Sequence, residues 1–273
     1  MQLVVPMAGL GQRFVEAGYR QPKPLIDVHG SPMIVRVVEE LPQCERIVFV
    51  VHGDHVRDFG IDRTLRRRFS QCEVIVTPGL TAGQACTVRL AAEALDPSEP
   101  VLVAACDNSH LYDAERFRTL TAESRFDCLI WTYRNDFRVL ANPRAHGWVR
   151  VAPNGVDVLD VFCKQPLSTT PLVDHAVTGC FWFRSAKKMM SGIDRLVASN
   201  QRVNGEFYLD VVPNMLIADG AAVGAFEVDK YIGWGTPRDL EDYLRWRRYF
   251  ENAASPAGSL TVETVEKRQR AVV

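Results

Sequence analysis

The chain has 273 residues, 47% of them hydrophobic, and a formal net charge of −1. That length suits one large α/β domain or a domain with a small subdomain, with enough apolar material for a sizeable core. The balanced charge speaks against a nucleic-acid partner or a polyanionic membrane, either of which calls for a basic surface.

The first strand-like run, residues 3–7, leads into Ala8, Gly9, Leu10 and Gly11, with Arg13 inside the turn and Pro22-Lys23-Pro24-Leu25 after it. Glycines let backbone N–H groups approach an anion closely, and such donors form a nest for phosphate oxygens. A fixed arginine and a fixed lysine add charge where a polyphosphate would lie. No Gly-Lys-Ser/Thr follows, so this is not a Walker A loop. Phe14 stands at the third glycine of the dinucleotide fingerprint, which makes that reading poor. A nucleoside triphosphate fits the pattern better than a lone carboxylate.

Residues 47–51, 74–76, 101–105 and 129–133 read as further buried strands, with helices over 32–41, 82–95 and 113–123 between them. This alternation predicts βαβ units and a mostly parallel sheet. Ligands of such sheets bind beyond the carboxyl ends of the strands. The basic run Arg63 to Arg68 is interrupted by Leu65 and reads as a solvated helix face. His52-Gly53-Asp54-His55 reads as a turn at a strand end rather than a zinc site. Asp107 follows the 101–105 run, where a carboxylate near the glycine loop is placed to hold Mg²⁺.

Beyond residue 140 the pattern changes. Residues 147–151 and 156–162 read as two strands joined by a Pro153-Asn154-Gly155 turn, 175–183 as another strand, and 187–199 and 207–219 as helices. Thr236-Pro237 resembles a helix start. The expected division is a domain over 1–250 and a disordered, small and polar tail over 251–273. Seven cysteines without a Cys-x-x-Cys pair, and no signal-peptide pattern, point to reduced thiols in the cytoplasm. No apolar stretch reaches membrane-spanning length.

Gly-x-Gly-x-Arg-Phe at 9–14, Pro-Lys-Pro-Leu at 22–25 and the apolar stretch that follows resemble the signature of the sugar-phosphate nucleotidylyltransferases, or nucleoside-diphosphate-sugar pyrophosphorylases. The resemblance runs in ordered pieces over about residues 2–245. It implies a GT-A/Rossmann-like three-layer α/β sandwich with a mostly parallel central sheet. It also implies transfer of a nucleoside monophosphate from a triphosphate to a sugar 1-phosphate or similar acceptor, with Mg²⁺, for surface polysaccharide precursors. Carried onto this sequence, it makes Arg13 and Lys23 catalytic, and Ala8, Gly9, Gly11, Gly83 and Gln84 nucleotide-binding. Lys164, Gly179 and Glu206 become acceptor-binding and Asp107 the metal carboxylate.

The chain departs from that pattern at three places. Gln84 replaces a threonine near the base, and Cys163 and Gln165 alter the segment around Lys164. Gly233 stands where the family has an aspartate that helps bind the metal, and no motif assigns nearby Asp229 to the role. Three other readings stay open: a cytidylyltransferase acting on a phosphate such as choline phosphate, a GT-A-like glycosyltransferase, and a non-catalytic nucleotide sensor. The glycosyltransferase would want an Asp-x-Asp motif, which Asp107-Asn108-Ser109 lacks. A homo-oligomer is also open.

Overall fold

Strand β1 (Gln2–Met7) is buried except at Pro6, and its side chains divide between two cores. Leu3, Val5 and Met7 join one cluster and Val4 the other, as the two-residue period of a strand requires. The computed structural model describes residues 1–254. In chain order β1 is followed by α1 (Gln12–Glu16), α2 (Met33–Glu39), β2 (Arg46–His52), α3 (Gly53–Phe59), α4 (Ile61–Arg68), β3 (Cys72–Thr77) and α5 (Gln84–Arg89). Then come β4 (Val101–Val103), β5 (Asn108–Leu111), α6 (Ala114–Ala122), β6 (Cys128–Tyr133), α7 (Arg138–Ala141), β7 (Gly147–Val151), β8 (Val158–Cys163) and β9 (His175–Phe183). The last elements are α8 (Ala186–Ala198), α9 (Val212–Ala218), β10 (Val223–Glu227), β11 (Lys230–Gly233) and α10 (Pro237–Ala254).

The central sheet runs β10-β6-β9-β4-β1-β2-β3. Along it, every pair is parallel except where β9 lies antiparallel between β4 and β6. Core residues of α2, α4 and α6, such as Ile34, Leu65 and Phe117, pack on one face. Ala85, Ile193 and Leu216 of α5, α8 and α9 pack on the other. The result is the three-layer sandwich that the alternating pattern leads one to expect. Strands β7 and β8 form the antiparallel pair read around the Pro153-Asn154-Gly155 turn, and β7 also joins the edge of β9.

Several elements differ from their sequence reading for local reasons. Beyond β4, Ala104 N–H bonds Val4 O (3.1 Å) but Ala105 N–H bonds Gly179 O (3.1 Å). Successive N–H groups of a strand point to opposite neighbours, so the pairing with β1 and β9 runs on past Val103 towards the bound at 105 read from sequence. The helix read over 207–219 begins late, because Phe207 donates to Ala82 O and accepts from Ala85 N–H. A residue with both backbone groups paired this way cannot open a helix. The same pairing delays α5 to Gln84. Strands β5, β10 and β11 and helix α3 have no counterpart in the sequence reading. His52 caps α3, its Nδ1 accepting from Asp54 N–H at 3.2 Å. Helix α10 starts as expected, with Asp239 N–H bonding Thr236 Oγ1 at 3.1 Å. It continues through Ala254, past the expected boundary at 250, and the rest of the expected tail lies outside the described residues.

One core group carries a pH prediction. His110 on β5 is 4% exposed, its Nε2 has no partner, and its ring packs edge-on against Trp131. Burial pulls its pKa down to about 3. The unfolded chain therefore binds a proton that the folded chain refuses, so this group's contribution is full above about pH 6.5 and fades as pH falls towards 3. His110→Phe should flatten the loss of stability between those values. Urea midpoints of both proteins at pH 7 and pH 5 check this; parallel losses would contradict it.

Candidate active site

The carboxyl ends of β1, β3 and β4 meet on one side of the sheet, where chain order reverses between β1 and β4. A crevice at such a reversal is where α/β sheets bind ligands. Here it is a cavity of about 240 Å³ lined by Met7, Ala8, Gly9, Gly11, Lys23, Thr81, Gly83, Gln84, Thr87, Cys106 and Glu206, among others. Five residues singled out in the glycine loop and near 83 thus share one wall with Lys23 and Glu206.

The glycine loop owes its shape to contacts as well as to backbone freedom. Gly11 has φ +64, and a Cβ there would meet Lys23 Cβ at 3.0 Å. It therefore lets α1 start while the loop closes on the 22–25 segment. That segment is a 3₁₀ turn (Lys23–Leu25) with buried prolines on either side of the lysine. Lys23 Nζ reaches Asp107 Oδ2 at 2.7 Å, with both side chains about one fifth exposed, at 20% and 22%. Burial works against the Lys23 ammonium, but the Asp107 carboxylate outweighs it and holds the pKa above the ordinary lysine value. Lys23 is thus a permanent cation in the cavity wall. Burial pushes the neighbouring Cys106 thiol up to about 11, so it stays protonated.

Asp107 fits the role of a magnesium carboxylate. Among the described residues its Oδ1 has only Asn108 Nδ2 at 3.5 Å. The backbone opposite is Gly235, where a Cβ would stand 3.1 Å from Asp107 Oδ2. Gly235 thus packs closely against the oxygen that Lys23 holds, and Oδ1 is the hard anionic donor left for an ion that takes few carboxylates and completes its shell with phosphate oxygens and water. Ser109 is committed elsewhere, bonding Glu40. Asp229 lies exposed between β10 and β11 and lines a separate polar cavity of about 300 Å³.

Gly83 is required by packing. It has φ +126, and a Cβ there would lie 2.6 Å from both N and O of Phe207. This close approach locks the 82–85 segment to 207 and brings Glu206 into the same cavity as Gln84. The sequence reading assigned Glu206 to the acceptor; its position is on the wall shared with the nucleotide loop. Thr81 and Thr87 also line that wall, with their hydroxyls 2.6 Å apart, and sequence reasoning missed both as site residues. The signal for Thr87 was its place one helical turn after Gln84.

Arg13 and Lys164 are not brought into the cavity wall. Arg13 sits exposed on the first turn of α1. Lys164 follows β8 with φ +58; its Nζ bonds Ala145 O and lies 5.3 Å from the Tyr208 ring centre. Its neighbour Asp210 is half-buried, and desolvation raises that carboxyl's pKa. Gly179 lies beside the Asp107 loop, where a Cβ would meet Ala105 Cβ at 3.0 Å.

Tyr231 and Tyr133 stack with ring centres 4.4 Å apart. Tyr133 Oη and His146 Nδ1 are 3.2 Å apart, and His146 O accepts from Lys164 N–H at 3.1 Å. This run of contacts connects the Lys164 region to the strand that faces Asp107. The sequence reading named none of these aromatic residues as site residues. Burial, followed by the nearby Tyr133 and Asp107, holds the Tyr231 phenol well above the usual tyrosine value, so it is a neutral group.

Solved structures share this fold. The nucleoside-diphosphate-sugar pyrophosphorylase of Vibrio cholerae RC9 aligns with a TM-score of 0.73 at 21% identity, over 89% of this chain and 99% of its own. The inositol-1-phosphate CTP transferase of T. maritima gives 0.68 at 18% identity, over 89% and 93%. A UDP-glucose pyrophosphorylase from Acinetobacter baumanii gives 0.67 at 18% identity, over 99% of both chains. No curated protein matches the chain significantly. Residues 3–201 match the MobA-like NTP transferase domain, so the chain belongs to that family and is a nucleotidyltransferase.

Proposed function

We propose that the chain transfers a nucleoside monophosphate from a nucleoside triphosphate to a sugar 1-phosphate, releasing pyrophosphate, in the supply of precursors for surface polysaccharides. The observation that carries this reading is Lys23, paired with Asp107 and sharing one cavity wall with the glycine loop, Gly83 and Gln84. An oxygen of the acceptor phosphate bonds the α-phosphorus as the α–β bridging bond breaks, and that electron pair leaves with pyrophosphate. A phosphate nucleophile is already anionic near neutral pH, so the site needs no general base. Positioning and charge stabilisation remain.

In this reading the 8–11 loop donates backbone N–H groups to the triphosphate, and Lys23 stabilises the departing pyrophosphate. Arg13, exposed on α1, adds charge from the rim, and Gly83 and Gln84 face the base. Asp107 would hold Mg²⁺, which when bound draws charge from the phosphates. Glu206 and Gly179 meet acceptor hydroxyls, and Lys164 holds the acceptor phosphate. The seven cysteines are free thiols, which supports a reducing, cytoplasmic setting.

A second reading has a specific observation in its favour. Lys164 is flanked by Cys163 and Gln165 and its ammonium is engaged by Ala145 O, an acceptor end unlike the usual sugar-phosphate pattern. That suits a cytidylyltransferase with a non-sugar phosphate such as choline phosphate. Pyrophosphate release across a panel of triphosphates, sugar 1-phosphates and choline phosphate separates the two. Release with no acceptor in the panel would remove both.

Lys164→Ala should raise the KM for the acceptor with little effect on triphosphate affinity. Calorimetry with triphosphate alone is the check: loss of that binding would move Lys164 to the nucleotide site.

A further inference from the structure

β11 pairs Tyr231 with His110 and Gly233 with Asn108, and Gly235 follows close to Asp107. A Cβ at Gly235 would meet Asp107 Oδ2 at 3.1 Å, while a Cβ at Gly233 would meet Tyr231 Cε1 at 2.9 Å and its hydroxyl oxygen at 3.2 Å. The Tyr231 side chain therefore lies along its own strand, over Gly233 and towards Asp107. It is held there from two directions. Tyr133 stacks on it with an interplanar angle of 9°. Arg138 lies 5.5 Å from the ring centre and donates Nη2–H to Tyr231 O at 3.0 Å. The hydroxyl has no hydrogen-bond partner among the described residues.

We propose that Tyr231 occupies the position of a second metal carboxylate: its ring bars a side chain at 233, and its neutral hydroxyl donates to the acceptor phosphate beside Asp107. The inference rests on the transfer reaction proposed above and assigns the contact that the departure at Gly233 leaves open. A carboxylate there would repel an incoming phosphate unless a cation lay between them. A phenol donates to the phosphate directly, at no cost in charge. Continuous contacts run from Tyr231 through Tyr133 and His146 to the Lys164 backbone, linking the two residues assigned to the acceptor phosphate.

Two measurements decide the proposal. Tyr231→Phe keeps the ring, the stack and the fold. It should lower kcat/KM for the acceptor about tenfold, the effect of losing one hydrogen bond to a charged group. Triphosphate affinity and melting temperature should not change. Full acceptor kcat/KM in this variant overturns the proposal, as does a loss confined to triphosphate binding. The second measurement needs no turnover: Mn²⁺ affinity without nucleotide, read by electron paramagnetic resonance. Wild type and Gly233→Asp should bind weakly, because the ring still fills the space. Tyr231→Ala combined with Gly233→Asp should bind on the order of tenfold more tightly, with two carboxylates available. Tight binding by Gly233→Asp alone, at an unchanged melting temperature, would show that the ring bars nothing. A wild-type protein that uses no phosphorylated acceptor would reject the transfer reaction, and the Mn²⁺ series alone would then decide the role of Tyr231.

Discussion

Lys23→Ala should lower turnover at least about a hundredfold, the usual cost of removing one preorganised charge-stabilising donor. Lys23 sits between buried prolines, its Cβ lies against the Gly11 backbone, and its ammonium is 2.7 Å from Asp107. The stem is thus fixed before any substrate arrives, and little reorganisation remains at the moment of transfer. The ion pair is half-buried, so removing the lysine also leaves Asp107 with no cation against it. A modest fall in melting temperature is expected with an unchanged circular dichroism spectrum. Pyrophosphate release at saturating triphosphate separates the two effects. Near-normal release would remove Lys23 from the reaction and leave it a structural partner of Asp107.

How far this site is legible in sequence depends on how local each contact is. The glycine loop and the 22–25 turn are neighbours along the chain, so Gly11 and Lys23 could be paired from spacing alone. The strands of the central sheet are buried on both faces and appear as plain apolar runs, which is why β1, β2 and β6 were readable to within a residue or two. Phe207 and Ala82 are far apart in sequence, and their pairing follows no periodic pattern. That pairing shortened two helices and moved Glu206 onto the nucleotide-loop wall. Strands β5 and β11 are similar: four residues each, pairing Asn108 with Gly233 across more than a hundred positions. The sequence could report that Gly233 is not an aspartate. It could not report that Tyr231 fills the space, because a side chain folding back along its own strand leaves no trace in composition or spacing.

The metal site gives the sharper test of that distinction. Asp107→Asn should abolish magnesium-dependent turnover, while Asp229→Asn should leave most of it. Asp107 has one oxygen on Lys23 and, among the described residues, one without a strong partner. Asp229 is close to Gly233 in sequence but lies exposed, in the cavity lined by Arg134, Glu227, Lys230 and Tyr231. With a single carboxylate, the ion should bind weakly by itself and tightly only with triphosphate, whose oxygens complete its shell. Activity of both variants across a magnesium titration decides the matter. If excess magnesium rescued Asp107→Asn but not Asp229→Asn, the ion would be held on the Asp229 side, and the one-carboxylate site would be rejected.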